Sequence, residues 1–302
     1  MSILLNAVQT ALRLPWPALV DEISRLLHDD SVQVPPRLVQ ALPGGGSLFV
    51  MPALDSSLAV TKLITFTPAN IGTSHPAIQG DLVVFDVLSG QRRLILDGPT
   101  VTARRTAAVS VAAARKLAPN TQGPLLIVGA GVQGQAHLEA FSAVLNIGEV
   151  VIASRSPASA EALALRARSI GLRASVVQDA NARLADCPLA VTCTPASGVV
   201  LSALPRADGF IAAVGAFTPR MIELGPQLCR HVAARGTVIV DTADALHEAG
   251  DLLQARLDVS RFATLSDVVR QGMPKPAGPV LFKSCGWAGW DLAAARVAIA
   301  QA

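Results

Sequence analysis

Residues 124–141, PLLIVGAGVQGQAHLEAF, decide how the rest of the chain is read. The apolar run from Leu125 to Val128 leads directly into Gly129, Gly131 and Gly134, a G-x-G-x-x-G, and a proline-free stretch with helical character follows. In a strand–glycine–helix turn the first glycine allows the tight turn, the second lets backbone approach a pyrophosphate, and the third lets helix and strand pack closely. The N–H groups at the helix start then face the phosphates. Gly129, Gly131 and Gly134, with Val132 and Gln133 between them, are therefore candidate dinucleotide contacts. The competing reading is a glycine-rich turn without a ligand, and the pattern that follows argues against it.

Downstream, EVVIASRS reads as a strand, PASAEALALRARSIG as a helix ended by Gly171, and RASVVQD as a third strand. LAVTCTP, GFIAAVGAF and GTVIVDTA add three more apolar strands. Strands that are apolar throughout and alternate with helices predict a doubly wound parallel sheet of Rossmann type, covered on both faces. Thr192 and Thr194, at the end of LAVTCTP, are further candidate cofactor contacts.

The second strand bears on which dinucleotide is bound. An NAD site usually places Asp or Glu there for the ribose 2′-hydroxyl. Here the strand ends in Ser154, Arg155 and Ser156. A guanidinium fork with two hydroxyls suits a 2′-phosphate, so NADPH is expected, with NADH bound more weakly. The alternative is that Arg155 is a solvated strand-end residue.

Ahead of this region lies an α+β segment. WPALVDEISRLLHDD (16–30) has helical periodicity, and LAVTKLITFTP (58–68) and DLVVFDVLSGQRRLILDG (81–98) read as strands. An Ala-rich helix from Thr102 to Leu117 ends at APNTQG. The expected domains are residues 1–115 with the tail 290–302, and residues 116–289.

Composition narrows the function classes. A net charge of +3, with scattered basic residues, marks no nucleic-acid surface. The four cysteines show no metal-ligand or disulfide spacing, so neither a metal site nor a disulfide framework is expected. The N-terminal stretch lacks the features of a leader, and no segment reaches the ~20 apolar residues of a membrane helix. A cytoplasmic protein with no membrane partner is the expectation. Lone histidines such as His137 are expected to be structural.

Three basic positions outside the nucleotide region stand out: Arg37 after Pro35-Pro36, Lys62 inside LAVTKLITF, and Arg104-Arg105 before Thr106. A lysine on an apolar strand costs free energy unless it meets an anion or reaches water. Singly, each reads as readily as a surface residue.

Taken together, PPRLVQ, MPALDSSLAVTKLITFTPAN, DGPTVTARRTAA, IVGAGVQGQAHLEAF, HEAGDL and LFKSCGWAGWDLAAA resemble the ornithine cyclodeaminase/mu-crystallin family across almost the whole chain. The resemblance implies an α/β substrate-binding and dimerisation domain beside the Rossmann domain, a homodimer, and small α-amino or α-imino acid substrates. It implies that Arg37, Lys62 and Arg105 hold the substrate carboxylate and that Thr106 contacts the dinucleotide phosphates. It also implies that Lys283, Ser284, Gly286 and Asp291 line the nicotinamide end of the cleft, and that a longer family C-terminal helix is shortened here.

One motif departs from the family. Ornithine cyclodeaminases carry an aspartate in a G-A-D-x-P-G-K-x-E-L-like loop, whereas VGAFTPRMIEL (214–224) has Phe217 there, followed by Thr218, Pro219 and Arg220. GAFTP is similar to the ketimine reductase subgroup, which reduces Δ1-pyrroline-2-carboxylate and Δ1-piperideine-2-carboxylate. Reduction of a preformed iminium needs a hydride and a carboxylate clamp more than a strong acid, so Lys62 is the candidate catalytic residue, as clamp or proton donor. Phe217 and Thr218 are candidate substrate contacts, with Phe217 either walling the ring or packing under the loop. The competing functions are a cyclodeaminase, an alanine dehydrogenase-like enzyme, and a crystallin-like NADPH-binding protein.

Overall fold

The computed structural model describes residues 3–70, 73–195 and 197–301. It divides into two compact units, Met1–Arg105 with Trp287–Ala302, and Thr106–Gly286. The helix Gly98–Leu117 passes from the first to the second between Arg105 and Thr106, ahead of the boundary expected after residue 115. This helix also begins earlier than Thr102. Asp97 accepts from the backbone N–H and the hydroxyl of Thr100 at 2.8 and 2.6 Å, and Pro99 suits a first turn, so D-G-P-T starts the helix at the residue where the strand Arg92–Asp97 ends.

The first unit is a six-stranded sheet in which Leu38–Ala41, Ser47–Leu54, Leu58–Phe66, Ile78–Asp86 and Arg92–Asp97 are antiparallel neighbours. The short strand Ile3–Leu4 lies parallel at the edge. Helices Trp16–Leu26 and Ala288–Ala300 pack together, and the latter lies on the central strands. The terminal helix is buried nearly all round because its small Ala and Gly residues allow close approach. Glycine at 289 leaves room for the Trp287 ring, since an added Cβ would stand 2.0 Å from it and the ring would have to move.

Along Leu58–Phe66 the side chains alternate, and Leu58, Val60, Lys62 and Ile64 all face inward. The period-2 geometry of the strand therefore places Lys62 in the core set. The opposite phase leaves Leu63 exposed.

The second unit is an eight-stranded parallel sheet. Its order is Ala263–Thr264, Thr237–Val240, Val280–Lys283, Phe210–Ala213, Leu189–Thr192, Leu125–Val128, Glu149–Ala153 and Arg173–Val177. The chain starts in Leu125–Val128, builds outward to Arg173–Val177, then returns to Leu189–Thr192 on the other side. That reversal is the topological switch point at which open α/β sheets bind ligands, beyond the carboxyl ends of the strands. Val280–Lys283 inserts between two earlier strands, and this placement has no local sequence signal. Ser197–Leu201 and Ile222–Leu224 form a separate parallel pair, again without a local sequence signal. Among the described residues no helix is long and apolar enough to cross a membrane.

Candidate functional site

The residues singled out from the sequence fall into two groups, one in each unit. In the first, Lys62 is sealed from solvent, and its Nζ lies 3.0 Å from Asp291 Oδ1 and 2.8 Å from Oδ2. Arg105 Nε lies 3.3 Å from the same Oδ1, and Asp291 is itself completely buried. Two cations thus share one carboxylate. Burial pulls the Lys62 ammonium down to about 8; Asp291 opposes this, while Arg105 and Arg37 add to it. Arg37 is half-buried. Arg104 points elsewhere: its Nε donates to the Leu14 carbonyl at 2.9 Å and its guanidinium stacks 3.8 Å above the Trp16 ring.

In the second unit the glycine loop follows the strand Leu125–Val128. Gly129 has φ of 116°, and its N–H donates to the Ala153 carbonyl at 2.9 Å, linking the loop to the neighbouring strand end. A Cβ on Gly134 would lie 2.1 Å from the Gly129 carbonyl oxygen, so the helix Val132–Leu145 can sit against the turn only with glycine there. A Cβ on Gly131 would meet nothing within 4 Å. Gly131 caps that helix without a side-chain acceptor, and the first turn carries no acidic residue. Open space, helix N–H groups and no competing carboxylate fit a dinucleotide diphosphate.

Beside the loop, Ser156 caps the helix Pro157–Ser169 by accepting from the Ser159 N–H, and its own N–H donates to Ser154 Oγ at 3.3 Å. Arg155 is exposed between them and, among the described residues, has no carboxylate partner. Thr106 is buried in the helix Gly98–Leu117. His137, one turn into the dinucleotide helix, is fully buried, with Nδ1 2.7 Å from the Gln133 carbonyl and Nε2 3.0 Å from Ser110 Oγ. It is a satisfied core histidine.

The other expected cofactor contacts are engaged in a buried polar network. Glu223 Oε1 accepts from the Thr194 N–H at 2.7 Å and its hydroxyl at 2.9 Å, while Oε2 accepts from Thr192 Oγ1 at 3.0 Å and the Gly215 N–H at 2.7 Å. Asp251 accepts from the N–H groups of Glu223 and Leu224 and pairs with Lys283 Nζ at 2.8 Å. Burial works against the Lys283 ammonium, but Asp251, with Cys285 and Glu223, holds it above its ordinary value. Lys283 is wholly enclosed and also donates to the Ala213 carbonyl, so its charge serves the network. Next to it, Asp241 accepts from Ser284 Oγ, the Cys285 N–H and the Gly286 N–H at 2.8, 2.9 and 2.8 Å. Together these bonds tie the carboxyl ends of Leu189–Thr192, Phe210–Ala213, Val280–Lys283 and Thr237–Val240, four adjacent strands, into one rim.

Phe217 stands on that rim with 38% of its surface exposed. The following Thr218–Met221 is a tight turn in which the Met221 N–H donates to the Thr218 carbonyl at 3.1 Å, with Pro219 at the position that proline favours. The sequence by itself assigns no role to Glu223, Asp241 or Asp251 and no distinct role to Asp291. The available signal was a lone carboxylate inside each apolar stretch, MIEL, VIVDT, AGDLL and GWDLA.

The ornithine cyclodeaminase/mu-crystallin family profile matches residues 6–302. The chain belongs to this family. A Δ1-pyrroline-2-carboxylate reductase of Burkholderia ambifaria is 34% identical over 296 residues, covering 97% of this chain and 94% of its own. A Δ1-pyrroline-2-carboxylate/Δ1-piperideine-2-carboxylate reductase of Azospirillum brasilense is 36% identical over the same shares of the two chains. The structure of Thermococcus litoralis Δ1-pyrroline-2-carboxylate reductase, in complex with NADH and L-proline, matches with a TM-score of 0.89 at 23% identity. The match covers 99% of this chain and 97% of that one. At that identity the likeness is one of fold, and it extends through both units of this family member.

Proposed function

We propose that this chain reduces the cyclic imino acids Δ1-pyrroline-2-carboxylate and Δ1-piperideine-2-carboxylate to L-proline and L-pipecolate, using NADPH in preference to NADH. The observation that carries the reading is the Lys62–Asp291–Arg105 cluster: two buried cations on one internal carboxylate leave positive charge for a substrate carboxylate. Relatives that match 97% of the chain are named as reductases of Δ1-pyrroline-2-carboxylate, one of them also of Δ1-piperideine-2-carboxylate.

When bound, the nicotinamide supplies the hydride that forms the new C–H bond at the imine carbon, while the C=N π pair passes to the ring nitrogen. The protein's part is positioning and charge. Arg37, Lys62 and Arg105 clamp the carboxylate, which fixes the ring and its electrophilic carbon. In the same reading the Lys62 ammonium acts as clamp or as the proton source for the ring nitrogen. Gly129, Gly131 and Gly134, with the N–H groups of Val132 and Gln133, take the diphosphate, and Ser154, Arg155 and Ser156 take the 2′-phosphate. Thr106, Thr194, Ser284 and Gly286 complete the coenzyme side, while Thr192 and Lys283, both fully enclosed, support it from within. Phe217 offers an apolar face to ring CH₂ groups, with Thr218 beside it, and the loop has no carboxylate with which to deaminate ornithine.

A homodimer is part of the proposal. Leu38, Leu63 and Phe85 are large apolar residues exposed on one face of the six-stranded sheet, the kind of surface a second copy covers. The test of the reading is coenzyme oxidation with the five- and six-membered imines side by side. NADPH-dependent turnover of either is expected. Release of ammonia from ornithine with NAD, or turnover of pyruvate with ammonia in place of the imines, overturns it.

A further inference from the structure

One fully buried carboxylate has no part in the hydride transfer described above. Asp291 lies in the first turn of the helix Ala288–Ala300, and its position is set by packing that owes nothing to a ligand. Trp290 beside it is completely buried, Trp287 and Trp290 meet edge-on at 4.8 Å, and glycine at 289 leaves room for the Trp287 ring. The carboxylate is therefore presented to Lys62 and Arg105 from a rigid helix start.

Lys62 needs such a partner. Its strand neighbours in register are Met51 and Leu82, both apolar and buried. The charged groups acting on it come from three other elements: Asp291 from the terminal helix, Arg105 from the helix Gly98–Leu117, and Arg37 from the segment ahead of Leu38–Ala41. Burial and both arginines drive the proton off Lys62, and Asp291 is the group that opposes them.

Building on the imine-reductase reading, we propose that Asp291 is a positioning residue for that reaction, holding the Lys62 ammonium in place and protonated at the point where the substrate carboxylate binds. Removing the carboxylate takes away the group that opposes burial and the two arginines at Lys62. The ammonium then titrates at lower pH, and the pH range in which the clamp is charged shrinks from its alkaline side.

The experiment compares wild type with Asp291→Asn and Asp291→Ser, the latter kept in case the former does not fold. The kcat/KM for Δ1-pyrroline-2-carboxylate is followed between about pH 6 and about pH 10. Coenzyme affinity and thermal unfolding are measured alongside. Wild-type kcat/KM should fall as pH rises through about 8, where Lys62 loses its proton. In either variant that fall should move to lower pH by about one unit, a tenfold change in proton concentration, with coenzyme affinity unchanged. Asp291→Glu should bring it back toward the wild-type position. A folded variant that keeps the wild-type alkaline limb, or loses the same fraction of activity at every pH, overturns the proposal. If wild type reduces neither imine, the functional reading has failed instead. NMR titration of ¹⁵N-labelled lysine then tests the Lys62–Asp291 coupling independently: a lower Lys62 midpoint in the variants upholds it and an unchanged one refutes it.

Discussion

The Glu223 carboxylate receives the backbone N–H of Gly215 at 2.7 Å, closing the loop that carries Phe217 back onto the strand Ile222–Leu224. Its other oxygen receives the Thr194 N–H at the same distance. Two N–H donors that cannot turn away address the two oxygens of one buried side chain. Glu223→Gln keeps the shape but must set an NH₂ group against one of them, whichever way the amide is flipped. The expected loss is about 2–4 kcal/mol of unfolding free energy, read as a lower urea midpoint. An unchanged midpoint would show that the network does not hold the loop.

Arg155 tests the coenzyme assignment. It is exposed at the end of Glu149–Ala153, between two serines that engage each other and the next helix start. A guanidinium on a phosphate is worth about 1.5–3 kcal/mol, so Arg155→Ala should raise KM for NADPH by roughly 10- to 100-fold and leave that for NADH within about twofold. Equal losses for both coenzymes would refute a 2′-phosphate contact.

Phe217 separates the ring-contact role from a packing role. At 38% exposure it contributes little to the core, so Phe217→Ala should leave thermal stability nearly unchanged. If its face receives the substrate ring, KM for the imines should rise by about tenfold or more while coenzyme KM stays constant. A lowered melting temperature with normal imine kinetics would assign it to packing alone.

His137 gives a pH dependence with a definite sign. Burial depresses it from 6.5 to about 4, and the Gln133 carbonyl offsets only part of this, so the folded state prefers the neutral ring. Its contribution is fully present above pH 6.5 and is lost as pH falls toward about 4. The unfolding free energy should decline across that window by roughly 3 kcal/mol, and His137→Gln should flatten the decline. If the slope persists in the variant, other groups cause it.

Much of this protein was legible in the sequence, because the relevant signals are local. G-x-G-x-x-G after LLIV, four-residue apolar strands and Ala-rich helical stretches each depend on neighbours a few positions away, and they determined a doubly wound parallel sheet with a dinucleotide loop. The strand-end position of Arg155 is similarly short-range. Lys62 could be flagged as an unusual residue on an apolar strand, yet nothing nearby said what would neutralise it.

The tertiary structure supplied that answer. Asp291 lies 229 positions along the chain from Lys62, and the terminal helix brings it back onto the sheet. In the same way, Glu223 reaches Thr192 across 31 positions, and Val280–Lys283 inserts between strands formed much earlier in the chain. A buried charge must find its counter-charge wherever folding brings one, so its pairing follows from the packed core and not from spacing along the chain. The sequence by itself determined which chemistry-bearing side chains are present and the sheet that carries the nucleotide loop. Only the fold decided which of them share a proton, a carboxylate or a hydrogen bond.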